Sequence, residues 1–473
     1  MSFKADVEAR ASPPSSTATP PNEKSPYTAD VYGAEVDAVF GAQGEGHVNY
    51  TSMGWIKTAV ILTKTQIALG ILAMPTALQA LGGVPGTLLI VGLGLLTTWS
   101  DYVVGLFKRN HPEVYSMSDV GFILFGKTGR EFFTAAYALF MIAITGAAFV
   151  PISIAFNTIT THATCTVVWA VIGAVGCFAG ASIQTLNRVS IIGWIGVGAI
   201  LTSVLIVTIG VGVQDRPASA PQAPLPWDKD IHAFKKASFW DAINSISTVI
   251  FGLCGTPAFF SIMSEMKDQR MYNRSLALCQ TLVISTYTVI GVVVYYYCGQ
   301  YLAAPALGSA GPLLKKVCYG IALPGLFASA ILYCHCGAKL IFVRLMRNSE
   351  HLTAHSFTHW AVWLGIVGVC TLLAFILAMA IPFFGPLVSL IGALFGTIMC
   401  MQSSGWMWLH DNWARRKHSP GLSFWLLAAL NWFLIIFGSF IWVAGITAGA
   451  ISIRDAYASG TVSKPFSCAD NSG

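Results

Sequence analysis

Two six-residue stretches, Gly70-Ile71-Leu72-Ala73-Met74-Pro75 and Gly252-Leu253-Cys254-Gly255-Thr256-Pro257, decide how this chain is read. Both have the form G-x-x-x-x-P, and each end of the second lies 182 residues after the matching end of the first. Both sit in long apolar runs. Gly loosens a helix, and Pro removes a backbone donor and crowds the preceding turn. The spacing therefore predicts helix breaks at Gly70 and Pro75 and again at Gly252 and Pro257. A broken helix stops in bare carbonyls and restarts in bare N–H groups. Its backbone attracts an ammonium at one end and a carboxylate at the other, with no full charge buried at membrane depth. Interrupted helices at matching positions in two halves of a chain are the best sequence pointer to a secondary-transport site.

The rest of the chain supplies the halves. Of 473 residues, 55% are hydrophobic and only 10% charged, where a soluble domain carries about a quarter charged residues. Mean hydropathy is +0.65. This balance excludes an ordinary cytosolic enzyme, a disordered scaffold and a nucleic-acid binder. Eleven apolar segments follow Trp55, at about 55–78, 82–107, 132–157, 165–182, 189–213, 239–263, 276–303, 318–343, 357–380, 384–409 and 422–449. In hydrocarbon only helices satisfy their own backbone at these lengths, so the chain is an all-α integral membrane protein. The two stretches occupy the first helix of two five-helix halves, and the eleventh segment is an extra C-terminal helix.

Residues 1–50, rich in Pro, Ser, Thr and acidic side chains, predict a disordered cytosolic tail without a cleavable signal. Residues 51–450 form the transmembrane transporter domain and 451–473 a short extracellular tail. Sidedness comes from Lys and Arg. With the N-terminus inside, inner segments hold 16 of the 27, outer segments hold eight, and Lys57, Lys64 and Lys339 lie within spans. The sequons at Asn49 and Asn273 then face the cytosol and are chance matches. Trp55, Trp99, Trp194, Trp240, Trp360 and Trp425 fall toward span ends, as interfacial aromatics do.

Other patterns compete for a functional reading. Gly121 through Thr128 spells G-x-x-x-x-G-K-[ST], but it lacks the preceding strand that a phosphate loop needs, so no ATP partner is expected. Cys334-His335-Cys336 resembles a metal cluster, yet adjacent helical positions fan apart and no second ligand pair lies near, so neither metal nor cofactor is expected. His335 and Lys339 share a helix face, and a neutral His is able to take up a proton near physiological pH. Asp101, toward the inner end of span two, reads as solvated. Asp241 and Glu265 mark the two ends of span six, with Lys267 and Arg270 beside Glu265 as an inner gate or a plain surface pair. Cys165, Cys298, Cys318 and Cys468 lie near the outer face, where a disulfide is possible in any pairing.

The chain resembles the amino acid/auxin permease family, and is most similar to its fungal neutral and aromatic amino-acid permeases of the methyltryptophan-resistance type. The resemblance covers about residues 47–450. It rests on Leu69 through Pro75, Ile250 through Pro257, Pro386 through Ala393, and the loop Ser118-Asp119-Val120-Gly121 through Phe125-Gly126. It implies a LeuT-type 5+5 inverted repeat with an added helix. The implied activity is proton-coupled symport of neutral L-amino acids through the plasma membrane by alternating access. A vacuolar exporter of the same fold and a non-transporting sensor are the alternatives. A channel lacks a filter sequence, and no catalytic constellation points to an enzyme.

On this reading Ala68, Leu69, Gly70, Ile71 and Leu72 meet substrate together with Phe251, Gly252, Cys254 and Gly255. Phe251 forms an aromatic wall, and by analogy with the fold Tyr137 and Phe140 face the same pocket. Proton coupling falls to His335, strengthened by a His in a comparable part of this helix in the family, with Lys64 and Lys339. Many relatives carry Gly where this chain has Ala68. Sodium-coupled relatives carry Asn near the position of Lys64, so an ammonium there occupies the space of a sodium ion.

Overall fold

The computed structural model describes residues 36–37, 41–42, 53–67, 69–183, 186–217, 219–221, 225–346, 356–417, 421–459 and 464–472. The chain divides into two units, Met1–Asn49 and Tyr50–Gly473. In the first, two short strands, β1 (Val36–Asp37) and β2 (Gly41–Ala42), pair antiparallel. The rest of the expected N-terminal tail lies outside the described residues, as does Ala68.

The second unit is helical: α1 (Trp55–Gln66), α2 (Met74–Leu81), α3 (Gly83–Asn110), α4 (Met117–Thr160), α5 (Thr166–Ala181), α6 (Leu186–Val213), α7 (Phe239–Leu253), α8 (Thr256–Ser264), α9 (Tyr272–Cys298), α10 (Pro312–Met346), α11 (Phe357–Ala380), α12 (Phe384–Ile391), α13 (Ser403–Asn412) and α14 (Leu422–Ala458). A wide π-helical stretch, Gly392–Gln402, joins α12 to α13. Among the described residues nine spans are long and apolar enough to cross a membrane, with α7 and α8 counted as one. The bent pair α1 and α2 makes a tenth. The sixteen-residue α5 is apolar but shorter than the expected spans. Large apolar side chains such as Leu88, Ile209, Val289 and Val443 line the outside, as lipid contact requires.

Local signals explain the helix boundaries. Ser238 accepts a hydrogen bond from the Asp241 N–H and caps α7, and Ser356 does the same for His359 and α11. At the start of α4 the Asp119 carboxylate accepts from the N–H groups of Tyr115 and Ser116, at 3.0 and 2.9 Å. The phosphate-loop lookalike is part of this helix. Gly126 turns the backbone at φ 66°, so the short first arm of α4 folds onto the long one, and Gly121 packs directly on Gly129. Lys127 is exposed.

The two interruptions lie where the repeated stretches are, with a division of labour that the letters did not carry. Helix α1 stops at Gln66, a 3-10 turn runs over Gly70–Leu72, and α2 resumes at Met74. Helix α7 runs through Gly252 to Leu253, and the break itself is Cys254 and Gly255. Pro75 and Pro257 stand in the first turns of α2 and α8, where a helix has no use for the missing N–H. They start the second arms. The glycines do something else: a Cβ on Gly70 would lie 2.4 Å from the Gly252 Cα, so the two breaks cross backbone against backbone.

The ends of α4, α5 and the C-terminal tail are tied by covalent and polar links. Cys165, which caps α5, is disulfide-bonded to Cys468 in the C-terminal tail, while Cys298 and Cys318 are free and buried. The tail then inserts Asn471, whose amide donates to the Ser153 hydroxyl at 3.0 Å and whose carbonyl accepts from Asn157 at 2.8 Å. It thereby fastens α14 to the ends of α4 and α5.

Gly70→Ala has no room without moving the α7 backbone. It is expected to destabilise by about 1–3 kcal/mol, the usual cost of overpacking. Gly92→Ala, whose Cβ meets nothing within 4 Å, is the control. Thermal unfolding in detergent checks this, with a lower midpoint for the first variant and an unchanged one for the second.

Candidate functional site

The site grows from the crossing of the two broken helices. At the end of α1, Gln66 is 3% exposed, and among the described residues neither its amide nitrogen nor its amide oxygen has a hydrogen-bond partner. A buried amide with both ends open is rare, because buried polar groups are nearly always hydrogen-bonded. The Gln66 side chain lies against the second break, since a Cβ on Gly255 would meet its Cγ at 2.7 Å and the Thr65 Oγ1 at 2.8 Å. Sequence reasoning missed Gln66. Its signal was available: a polar residue in an apolar run, four positions before Gly70.

Tyr287 on α9 ties the two breaks together. Its buried hydroxyl lies 2.7 Å from the Gln66 carbonyl and 2.9 Å from the Gly252 carbonyl. With one proton, it donates to two last-turn carbonyls in a shared or alternating bond. Tyr333 on α10 approaches the same region, its hydroxyl 3.4 Å from the Thr65 carbonyl.

The expected substrate contacts are arranged unequally around this crossing. Leu69, Ile71 and Leu72 are fully buried in apolar packing, so what they offer a ligand is backbone. Phe251 is 8% exposed and rests against Gly392 of the π-helical stretch. Phe140 on α4 packs against Phe395 of the same stretch, ring centres 5.8 Å apart, and Tyr137 lies half-buried one turn away. The Cys254 thiol is 2.6 Å from that of Cys400, also in the π-helical stretch. Gly392, beside Phe251, is as crowded as Gly70: a Cβ there would lie 2.0 Å from the Ser247 carbonyl.

Of the three expected proton-coupling residues, His335 and Lys339 share α10 one turn apart, and Lys64 lies on α1. Lys64 is buried between α1 and α6, its ammonium where a Gly193 side chain would be. The crevice beside it is lined by Gly196, Gly325, Ser329 and Tyr333. His335 faces the other way, its Nδ1 3.3 Å from the Ala181 carbonyl and its ring 5.4 Å from that of Trp363. Lys339 is exposed and lies in the electrostatic neighbourhood of Glu265. Burial pushes the Glu265 carboxyl above the usual range, and Lys339 and Lys57 pull it back. The neighbours of His335 do fan apart, with the Cys334 thiol 3.4 Å from Thr371.

Asp101 corrects the expectation of a solvated carboxylate. It is fully buried, nine residues inside the end of α3, which is about 13 Å along a helix. Thr256, the first residue of α8, donates to one of its oxygens at 2.7 Å, and the Gln280 amide on α9 donates to the other at 2.6 Å. The Tyr272 hydroxyl donates to the Asp101 carbonyl at 2.9 Å. Nearness to the inner end of the span does not expose it, because α8 and α9 cover this side of α3.

Both ends of the crossing are closed by main-chain pairing. Before α1 and after α8, the Met53 N–H donates to the Glu265 carbonyl at 3.1 Å, and the Lys267 N–H to the Met53 carbonyl at 2.9 Å. After α2 and before α7, Gly83 and Val84 donate to His232 and Ala233 at 2.9 Å each, and Lys235 donates to Leu81 at 3.1 Å.

Two broken helices thus cross with an open amide between them. The family described as transmembrane amino acid transporter protein matches residues 51–451. The chain belongs to that family, the amino acid/auxin permeases. A transmembrane transporter of Fusarium pseudograminearum is 34% identical over 445 residues, covering 94% of this chain and 92% of the relative. The N amino acid transport system protein of Neurospora crassa is 34% identical over 427 residues, 90% of each chain. Among solved structures the chain is similar in fold to inward-facing Mhp1, a LeuT-like architecture, with a TM-score of 0.53 at 14% identity, covering 87% of this chain and 93% of that one. This permease is a transporter and not an enzyme.

Tyr287→Phe leaves two buried carbonyls short of a donor, so it is expected to cost about 1–3 kcal/mol of stability and to slow transport. The exposed Tyr296→Phe is expected to change neither. Thermal unfolding and amino-acid uptake, measured on the same preparations, check both statements.

Proposed function

We propose that this permease couples inward proton flow to the uptake of neutral aliphatic and aromatic L-amino acids across the plasma membrane, by alternating access around its two broken helices. The observation that carries the reading is the open Gln66 amide at the crossing of α1 and α7. A zwitterion suits such a place. Its ammonium meets carbonyls at the ends of α1 and α7, and its carboxylate meets the Gln66 nitrogen and N–H groups of the restarting arms. Phe251, Phe140 and Tyr137 supply apolar and aromatic surface for an uncharged side chain.

The reciprocal pairing of chain ends supports an inverted repeat. The segment before the first broken helix pairs with the segment after the second, and the converse holds at the other end. With α5 counted as a span, eleven result, so the two termini lie on opposite sides. The Lys and Arg bias favours a cytosolic N-terminus, and the Cys165–Cys468 disulfide suits an oxidising side for the C-terminal tail.

Asp101 is the strongest candidate for the coupling proton. It is a buried carboxyl with neutral partners, and one partner opens α8. Gain or loss of a proton there changes the number of hydrogen bonds it accepts, and so the grip on the second arm of the broken helix. Lys64, in a separate crevice between α1, α6 and α10, occupies the place this reading gives to a sodium substitute. His335 is the alternative proton carrier, acting at α5 and α11 rather than at a broken helix.

Asp101→Asn is expected to abolish accumulation driven by a proton gradient while leaving exchange of amino acid across the membrane within a few fold. Retention of full gradient-driven accumulation would transfer the role to His335. Phe251→Ala is expected to weaken uptake of phenylalanine and leucine more than that of alanine, and equal losses for all three count against the aromatic wall.

A further inference from the structure

Away from the crossing, the ends of α3 and α13 meet in a second polar cluster. His111 caps α3, and its Nε2 lies 2.9 Å from Asp411 Oδ1. The Nδ1 of His410 lies 3.1 Å from the same oxygen. The other carboxylate oxygen accepts from the Asn110 amide at 2.9 Å, which fixes the carboxylate plane. All three ligand-type atoms lie within 4.8 Å of one another. The surroundings are built to hold them. Phe107 forms an apolar floor, its ring 4.4 Å from that of His111 and 6.3 Å from that of His410. Lys108 donates to the carbonyls of Pro112 and Val114, both at 2.6 Å, and so pins the loop that carries His111. Glu113 stands 3.7 Å from the Nδ1 of His111, on the side of the ring turned away from Asp411.

The two imidazole nitrogens and the carboxylate oxygen, all within 4.8 Å of one another, are three ligand atoms of the kind zinc takes, and a small turn of each ring aims them at a shared ion in place of each other. Zinc binds His nitrogen and carboxylate oxygen at about 2.0–2.2 Å, which puts neighbouring ligand atoms about 3.3 Å apart. The two His–Asp separations of 2.9 and 3.1 Å need open by only a few tenths of an ångström, and the two His nitrogens lie within 4.8 Å of each other. A carboxylate on the far ring nitrogen, as Glu113 offers, is the usual outer partner of a metal-bound His. Asp411 is 10% exposed, His111 23% and His410 42%, so one side stays open for a water as fourth ligand. Two imidazoles and one carboxylate suit zinc-class ions rather than calcium or magnesium, which take oxygen ligands.

We propose that His111, His410 and Asp411 form a divalent metal site of the zinc class, which fastens the end of α3 to the end of α13. The site is independent of amino-acid recognition, yet it acts on the helix that carries Asp101. An occupied site restrains any motion in which α3 parts from α13.

The test is a zinc titration of the full-length protein in detergent, with bound metal measured after gel filtration and thermal unfolding followed in parallel. The expected result is one more zinc per chain in the parent than in His111→Ala or His410→Ala. Affinity at the site is expected to fall by at least the 10- to 100-fold that accompanies loss of an outer partner. Zinc is expected to raise the unfolding temperature of the parent alone. Equal zinc content and equal thermal response in all three proteins overturn the proposal. If the alanine forms do not survive purification, His111→Gln and His410→Asn keep a donor toward Asp411 but are poor zinc ligands. Undiminished zinc binding in both overturns the proposal as well.

Discussion

The approach of Gly70 to Gly252 is the contact on which the rest depends. Two membrane helices stop, and their backbones touch there because neither residue has a Cβ. Everything polar at the centre results from that closeness. The carbonyls of Gln66 and Gly252 come near enough to share one tyrosine hydroxyl, and the Gln66 side chain reaches across to Gly255. In hydrocarbon an interrupted helix must find partners for its freed backbone groups within the protein. Here Tyr287 answers for two of them, and the Gln66 amide is left open.

The second constraint is electrical. Asp101 and Lys64 are both buried, in different elements and toward different neighbours. A buried charge is costly unless it has partners, and the cost is what ties its protonation to a conformation. Asp101 holds the first residue of α8 and the middle of α9 through two short hydrogen bonds. One of those helices, α8, runs directly into the main-chain pairing of Glu265 and Lys267 with Met53. On this account proton binding and substrate binding bias the same movable arms.

Much of this was legible in the residues, and the limits have physical reasons. The apolar runs located the helices well, because the lipid-facing requirement repeats along the whole chain. The repeated G-x-x-x-x-P stretches located both interruptions. What those letters could not show was which residue does which job: the prolines begin the second arms, and the glycines serve the crossing. Asp101 was misplaced because distance from a helix end says nothing about which neighbours cover that face. Gln66 stands out in the sequence only as a polar residue in an apolar run, and its lack of partners is visible only in the fold. The pairing of Cys165 with Cys468 joins residues 303 apart, a match that spacing alone does not select. His335 and Lys339 stand one turn apart on α10, yet the His335 ring turns to α5 and α11 while Lys339 is exposed, and Lys64 lies on another helix against α6.

The central claim is that a zwitterion and a proton share the crossing of the broken helices. Uptake of labelled phenylalanine and leucine into proteoliposomes, with and without an inward proton gradient and in sodium-free buffer, tests it most directly. The account predicts accumulation above equilibrium that collapses on addition of a protonophore. Equilibration at the same rate and extent with no gradient, or no flux through demonstrably folded protein, would contradict it.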